Sequence, residues 1–194
     1  MLNKNYRTVW NTYTLVSLGV LTAIQLILSR LLAINIGGFS RIALGPVATI
    51  MAGLWFGPAG GALTGFTADL LGCLMQGYAV NPFITISAVL WGLIPALLKP
   101  DPSQKKSRKI LTLTLSVLLS ATVCTLFFTP LGLVLINGFD LRAILPGRLL
   151  QYVLMVPIYS LLVCLLYMSP ATAIVQQGYP GKSSAFRNPP GDAL

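Results

Sequence analysis

Four arginines, at positions 30, 41, 142 and 148, stand apart from the other basic residues of this 194-residue chain, at or near the ends of apolar runs and with no lysine among them. Arginine presents a planar fork of donors that matches a carboxylate, so the chemistry these positions could do is the binding of an anion; snorkelling toward lipid headgroups is the plainer alternative for any one of them. Arg148, Gln151 and Tyr152 follow one another at the i, i+3, i+4 spacing, which on a helix sets a guanidinium, an amide and a phenol side by side. That trio suits recognition of a polar ligand, whereas a purely interfacial belt would account for Tyr152 but poorly for Gln151. Asn81, Thr85, Ala88 and Gly92 form a small, polar stripe on another run, and Phe83, Ser87 and Trp91 lie on a different side of it. The stripe either lines a cavity or makes ordinary helix contact with Thr85 bonding back into its own turn. Asp69 is the acidic residue set well inside an apolar run. A charge there costs roughly 2.5–3.5 kcal/mol even on insertion scales, so a hydroxyl, a backbone group or an arginine is expected to satisfy it and fix helix packing.

What is missing bounds the chemistry further. The chain has no His, and its four acidic residues are all Asp, so no imidazole base or metal ligand is offered. Cys73, Cys124 and Cys164 sit singly in apolar runs without C-x-x-C spacing, which reads as packing rather than zinc or redox chemistry. Gly181-Lys182-Ser183 lacks the earlier glycine of a phosphate loop, since Gln176 stands at that position. No second base or nucleophile accompanies Asp69. A catalytic centre is therefore not expected, nor a cofactor or a metal.

The elements that must position these residues are membrane spans. Hydrophobic residues make up 55% of the chain and charged ones 9%, against about 25% charged in a soluble domain, and the mean hydropathy is +0.80. Apolar runs at Thr12 to Ile36, Ile42 to Phe56, Ala59 to Met75, Pro82 to Leu98, Ile110 to Ile136 and Ile144 to Met168 predict six spans. The second and third meet at Gly57-Pro58-Ala59-Gly60-Gly61, as a tight hairpin or as short helices half buried in protein. With six spans, Lys4, Arg7, Lys99, Lys105, Lys106, Arg108, Lys109, Lys182 and Arg187 all fall on one side, which the positive-inside rule makes cytoplasmic. The net charge of +9 is thus an orientation signal, and membrane lipid rather than nucleic acid is the expected surroundings. The first run is expected to stay as an uncleaved helix. The division expected is a cytoplasmic segment at 1–11, an all-α six-helix membrane domain at 12–168 and a disordered cytoplasmic tail, rich in Pro, Gly and Ser, at 169–194.

Small residues mark where helices meet. Gly61, Gly65, Ala68 and Gly72 recur at three and four spacing in the third span, a stripe that lets backbones approach closely in lipid, with Asp69 beside it. Gly19 and Ala23 make a lesser patch in the first span, followed by Ile27.

Taken in order, Ser29-Arg30-Leu31, SRIALGPVATIMAGLWFGPAGGALTGFTADLLGC, NPFITISAVLWGLIPALL and ILPGRLLQYVLMVPIYSLL resemble the substrate-binding S component of energy-coupling factor (ECF) vitamin transporters. Within that family they are most similar to the folate-specific branch, through the blocks F-G-P-x-x-G-(small)-x-x-G and A-D-L-L-G. The resemblance spans roughly Leu15 to Tyr167.

It implies a six-helix bundle that binds folate in a cavity near the outer face, docks on a transmembrane coupling protein with two cytoplasmic ATPases, and topples in the membrane to carry the vitamin inward. ATP hydrolysis would then belong to the partners. The family docks through A-x-x-x-A in its first helix; here Gly19-x-x-x-Ala23 is the nearest match, with Ile27 where a further Ala would extend it. For the folate that the resemblance implies, Arg30, Arg41 and Arg148 are the candidates for the carboxylates, by direct contact or by holding loops, Trp91 and Phe83 for stacking on the rings, and Asn81, Thr85 and Gln151 for the pterin edge. The loops at Asn35 to Ser40, Gln76 to Val80 and Asn137 to Leu141 would close over the ligand, with glycines 37, 38, 77 and 138 supplying backbone freedom. Two other readings remain open: an S component for another vitamin, such as pantothenate or a pyrimidine precursor, and a membrane scaffold that transports nothing.

Overall fold

The computed structural model describes residues 10–35, 41–101 and 104–177. Its helices are α1 (Thr12–Leu31), α2 (Gly45–Phe56), α3 (Pro58–Gln76), α4 (Pro82–Leu97), α5 (Lys106–Leu135), α6 (Leu141–Met168) and α7 (Pro170–Gln177). Between α1 and α2 a two-residue antiparallel bridge, β1 (Ile34–Asn35) with β2 (Arg41–Ile42), places Ile34 opposite Ile42 and Asn35 opposite Arg41. The six expected spans correspond to α1 through α6, and the fold is an all-α bundle.

Local chemistry starts and stops these helices where they do. Asn11, Asn81 and Asp140 accept backbone amides of α1, α4 and α6 respectively, satisfying donors that the first turn leaves unpaired. Pro58 and Pro82 occupy first helical positions, where the absent N–H is no loss. Gly57 links α2 to α3 alone, at φ 91°, a value that side-chain-bearing residues avoid. The expected hairpin of short helices is therefore the one that forms, and nearly every residue of α2 is buried.

Three helices, α1, α5 and α6, are long and apolar enough to cross a membrane. The 12 residues of α2 rise only roughly 18 Å, well short of about 30 Å of hydrocarbon, so the chain leading into α2 lies within the depth of its longer neighbours. Two helices widen locally into π turns, α1 at Ile27–Leu31 and α5 at Thr122–Phe128. In α5 the widened turn precedes Pro130, which has no N–H to donate, and the Thr129 hydroxyl takes up the Cys124 carbonyl at 2.7 Å.

The small-residue stripe does what its spacing implies. A Cβ at Gly65 would overlap the Ala88 backbone, and Gly53, Gly61 and Gly92 meet backbone to backbone, so α2, α3 and α4 form one close-packed unit. Beside it the main core joins Ile50, Met51, Leu54 and Trp91 to Leu113, Val117, Tyr159 and Val163 of α5 and α6.

At the end where α1 starts and α6 finishes, the structure departs from the disordered tail expected after position 169. α7 stands at Pro170–Gln177, and the Trp55 indole N–H donates to Thr172 Oγ1 at 3.1 Å while the Tyr13 hydroxyl donates to the Val175 carbonyl at 3.3 Å. The polar Thr172 in an otherwise apolar turn supplies the acceptor that docks this short helix. The segments 1–9 and 178–194 lie outside the described residues.

Candidate functional site

Toward the opposite end, where α2, α4 and α6 begin, a cavity of about 170 Å³ opens between α4, α5, α6 and the start of α2. Arg148, Gln151 and Tyr152 enter it from α6, followed on the same face by Met155 and Tyr159; Ser87, Ala88 and Trp91 enter from α4; Thr125 and Thr129 enter from α5. Arg148 to Tyr159 is roughly 16 Å of helix, so the wall runs from a cationic end to an aromatic one.

At the cationic end, Arg148 Nη1 donates to Gln151 Oε1 at 3.1 Å, while its Nε is buried and has no hydrogen-bond partner. A buried donor left unmade costs about 1–3 kcal/mol, and in a cavity it is an offer to a ligand. Hydroxyls line the middle: Ser87 lies 3.4 Å from Thr129, and the Tyr152 hydroxyl shares a hydrogen bond at 2.9 Å with Thr122, which stands outside the lining. Ser87 and Cys124 also bond reciprocally, each side chain donating to the other's carbonyl at 3.3 Å, which ties α4 to the π turn of α5. At the aromatic end Trp91 and Tyr159 meet edge to face, with ring centroids 5.6 Å apart.

Of the residues picked from sequence, Trp91, Arg148 and Gln151 come together in this cavity. Arg30, Asn81, Phe83 and Thr85 are outside its lining, and three of them form a network of their own. Arg30 Nη1 donates to Gln76 Oε1 at 2.9 Å, and Nη2 stands 3.9 Å from Asp69 Oδ1. A side chain at Gly72 would strike the Arg30 guanidinium, so the glycine is the notch in which that group rests. Thr85 donates to Asp69 Oδ2 at 2.7 Å and lies 3.2 Å from the Asn81 carbonyl, and Asn81 Nδ2 donates to the Gly132 carbonyl at 2.9 Å and to Asn137 Oδ1 at 3.1 Å. Phe83 packs against Gly132. Asp69, 7% exposed, thus collects a hydroxyl and a guanidinium, and of the stripe from Asn81 to Gly92 it is Ala88 that lines the cavity, while Asn81, Thr85 and Gly92 make contacts between helices. Arg41 pairs through its backbone with Asn35, and its side chain lies outside the described residues.

Ser87, Thr125, Thr129 and Tyr159 went unselected, although signals for them existed. Stepping four back from Trp91 reaches Ser87, and stepping seven on from Tyr152 reaches Tyr159. Ala121, Thr125 and Thr129 recur every four residues. Of the proposed closing loops, Gln76 to Val80 and Asn137 to Leu141 turn through Gly77 and Gly138, at φ 67° and 69°, values that ending a helix requires; Gly37 and Gly38 lie outside the described residues.

On α1, Gly19 and Ala23 face outward with Val16, Val20 and Ile27, and a Cβ at Gly19 would meet nothing within 4 Å. Beside them an apolar groove of about 460 Å³ runs between α1 and α2.

A family model described as the substrate-specific component of ECF transporters matches residues 13–174. Among solved structures, the crystal structure of FolT bound with folic acid is similar at a TM-score of 0.68 and 27% identity, over 80% of this chain and 93% of that one. No curated protein matches.

Proposed function

The chain belongs to the family of ECF transporter substrate-specific components, and from that membership we propose that it is the folate-binding subunit of an ECF importer, with the cavity on α4, α5 and α6 as its binding site. Members of this family are membrane proteins that bind a transported substrate, not enzymes. The reading is carried by one observation: a buried, partnerless Arg148 Nε beside Gln151 in a cavity whose other end is walled by Trp91 and Tyr159. Folate joins a flat ring system with hydrogen-bonding edges to a glutamate with two carboxylates, and a cavity with one aromatic and one cationic end complements both. Its volume, below the roughly 300–1,000 Å³ usual for ligand sites, suits one ring system, with the rest of the molecule reaching the mouth. The likeness to FolT bound with folic acid favours this substrate over pantothenate or a pyrimidine precursor.

In this reading Trp91 stacks on the ring, Gln151 and the Ser87, Thr125 and Thr129 hydroxyls meet polar edges, and Arg148 holds a carboxylate. Arg30 holds α1 to α3 through Asp69 and Gln76 and acts on the ligand only indirectly. A transmembrane coupling protein docks on the small, outward face of α1 at Gly19 and Ala23, and two ATPases supply energy from the cytoplasm. Both termini are cytoplasmic, as the nine basic residues on that side favour.

The test is a folate titration of the purified chain followed by tryptophan emission, with a nucleobase and pantothenate as controls. Saturable quenching by folate alone is expected. No response from demonstrably folded protein, or an equal response to pantothenate, overturns the folate assignment.

A further inference from the structure

We infer that Tyr159 is a positioning residue for the ring-binding end of the cavity, fixing both Trp91 and the non-helical chain that leads into α2; this rests on the folate reading above. Tyr159 is 4% exposed, and its hydroxyl donates to the Ala43 carbonyl at 2.6 Å. Ala43 lies between β2 and α2, in chain that forms no helix, at a depth set by the shortness of α2. Irregular backbone at that depth persists only where protein or a water-lined cavity satisfies it. One bond answers that need.

The same side chain meets Trp91 at an interplanar angle of 83°. The bond pins the far end of the ring axis, and because a phenolic O–H prefers to lie in the plane of its ring, the direction of the Ala43 carbonyl favours one orientation of the face and edge offered to Trp91. Trp91, Tyr159 and Pro46, three residues beyond Ala43, all line the cavity. The hydroxyl thus joins three walls, from α2, α4 and α6, at the place where a flat ligand would slide in. A residue that merely satisfied a carbonyl would contribute stability. One that sets Trp91 contributes affinity that depends on Trp91 being present.

The experiment is a double-mutant cycle on folate affinity, measured by calorimetry on the full chain with Trp10 and Trp55 replaced by Phe. Tyr159→Phe is expected to weaken folate about fivefold to tenfold when Trp91 is present, the scale of an aromatic pair, and less than about twofold in the Trp91→Phe background. Equal losses in both backgrounds, or none in the first, overturn the inference. Should Tyr159→Phe fail to fold, the anisotropy decay of Trp91 in the single-tryptophan parent decides: a ring that tumbles only with the whole protein supports the inference, and independent nanosecond motion overturns it. A parent that folds but does not bind folate sinks the folate reading instead, and the anisotropy measurement still judges Tyr159.

Discussion

At the scale of single residues, two arginines of the same chemical type play unlike parts, and the difference lies in their neighbours. Arg30 spends its guanidinium on Gln76 and Asp69 over the notch at Gly72, whereas Arg148 keeps a buried Nε unmade beside Gln151. Arg148→Ala is therefore expected to weaken folate by about 10- to 100-fold, the range of one charge-assisted hydrogen bond, and a pterin lacking glutamate much less. Isothermal titration of both ligands checks this; equal losses would take the carboxylate away from Arg148. Arg30→Ala is expected to lower thermal stability and to weaken the two ligands alike. Asp69→Ala takes the acceptor from the buried Thr85 hydroxyl and the counter-charge from a partly exposed Arg30 that keeps its bond to Gln76, and should cost about 1–3 kcal/mol, while pairing Arg30→Met with Asp69→Leu should recover part of it. Melting temperatures in detergent separate these outcomes. Arg148 and Gln151 share one cavity, as their spacing on a helix implies, and Trp91, singled out through the family resemblance, lines it with them. Arg30, Asn81 and Thr85 showed their polarity but not their partners, since spacing on one helix says nothing of which helix lies against it.

Among the elements, α2, α3 and α4 are bound by close approach rather than by large side chains. Adding one methyl by Gly65→Ala would drive it into the Ala88 carbonyl. The expected cost is at least about 1–3 kcal/mol, read as a lower melting temperature with folate affinity falling in parallel, because α4 carries Trp91. Unchanged melting would show that α3 and α4 separate more readily than their packing implies. The stripe responsible was visible as a three-and-four repeat of Gly and Ala. The π turn in α5 was not: seven residues, Thr122–Phe128, read from their pattern as ordinary apolar helix, and the widening arises where Pro130 and Thr129 rearrange the backbone bonds. α7 was missed for a related reason. A run rich in Pro and Gly follows it, and only the docking of Thr172 on Trp55 and of Val175 on Tyr13 distinguishes its eight residues from tail.

For the whole molecule, capture and transport should be separable. The cavity lies between α4, α5 and α6, and the small outward face of α1 lies elsewhere, so replacing Gly19 and Ala23 together by Leu should leave folate binding in detergent unchanged. Uptake by cells that also express the coupling protein and ATPases should fall to background. Retained uptake would move the docking surface off α1. The sequence by itself determined that the chain is an all-α membrane bundle, where its six principal helices fall and which family it joins. Those properties are written in composition, run length and short blocks, all local along the chain. Only the tertiary structure decided which polar groups close on one another and which face the cavity. Arg30 finds Asp69 on another helix, and Tyr159 reaches a carbonyl 116 residues away. Each such choice depends on how helices are rotated about their axes and where the chain re-enters between them, and a buried polar group takes whichever partner that geometry brings within about 3 Å.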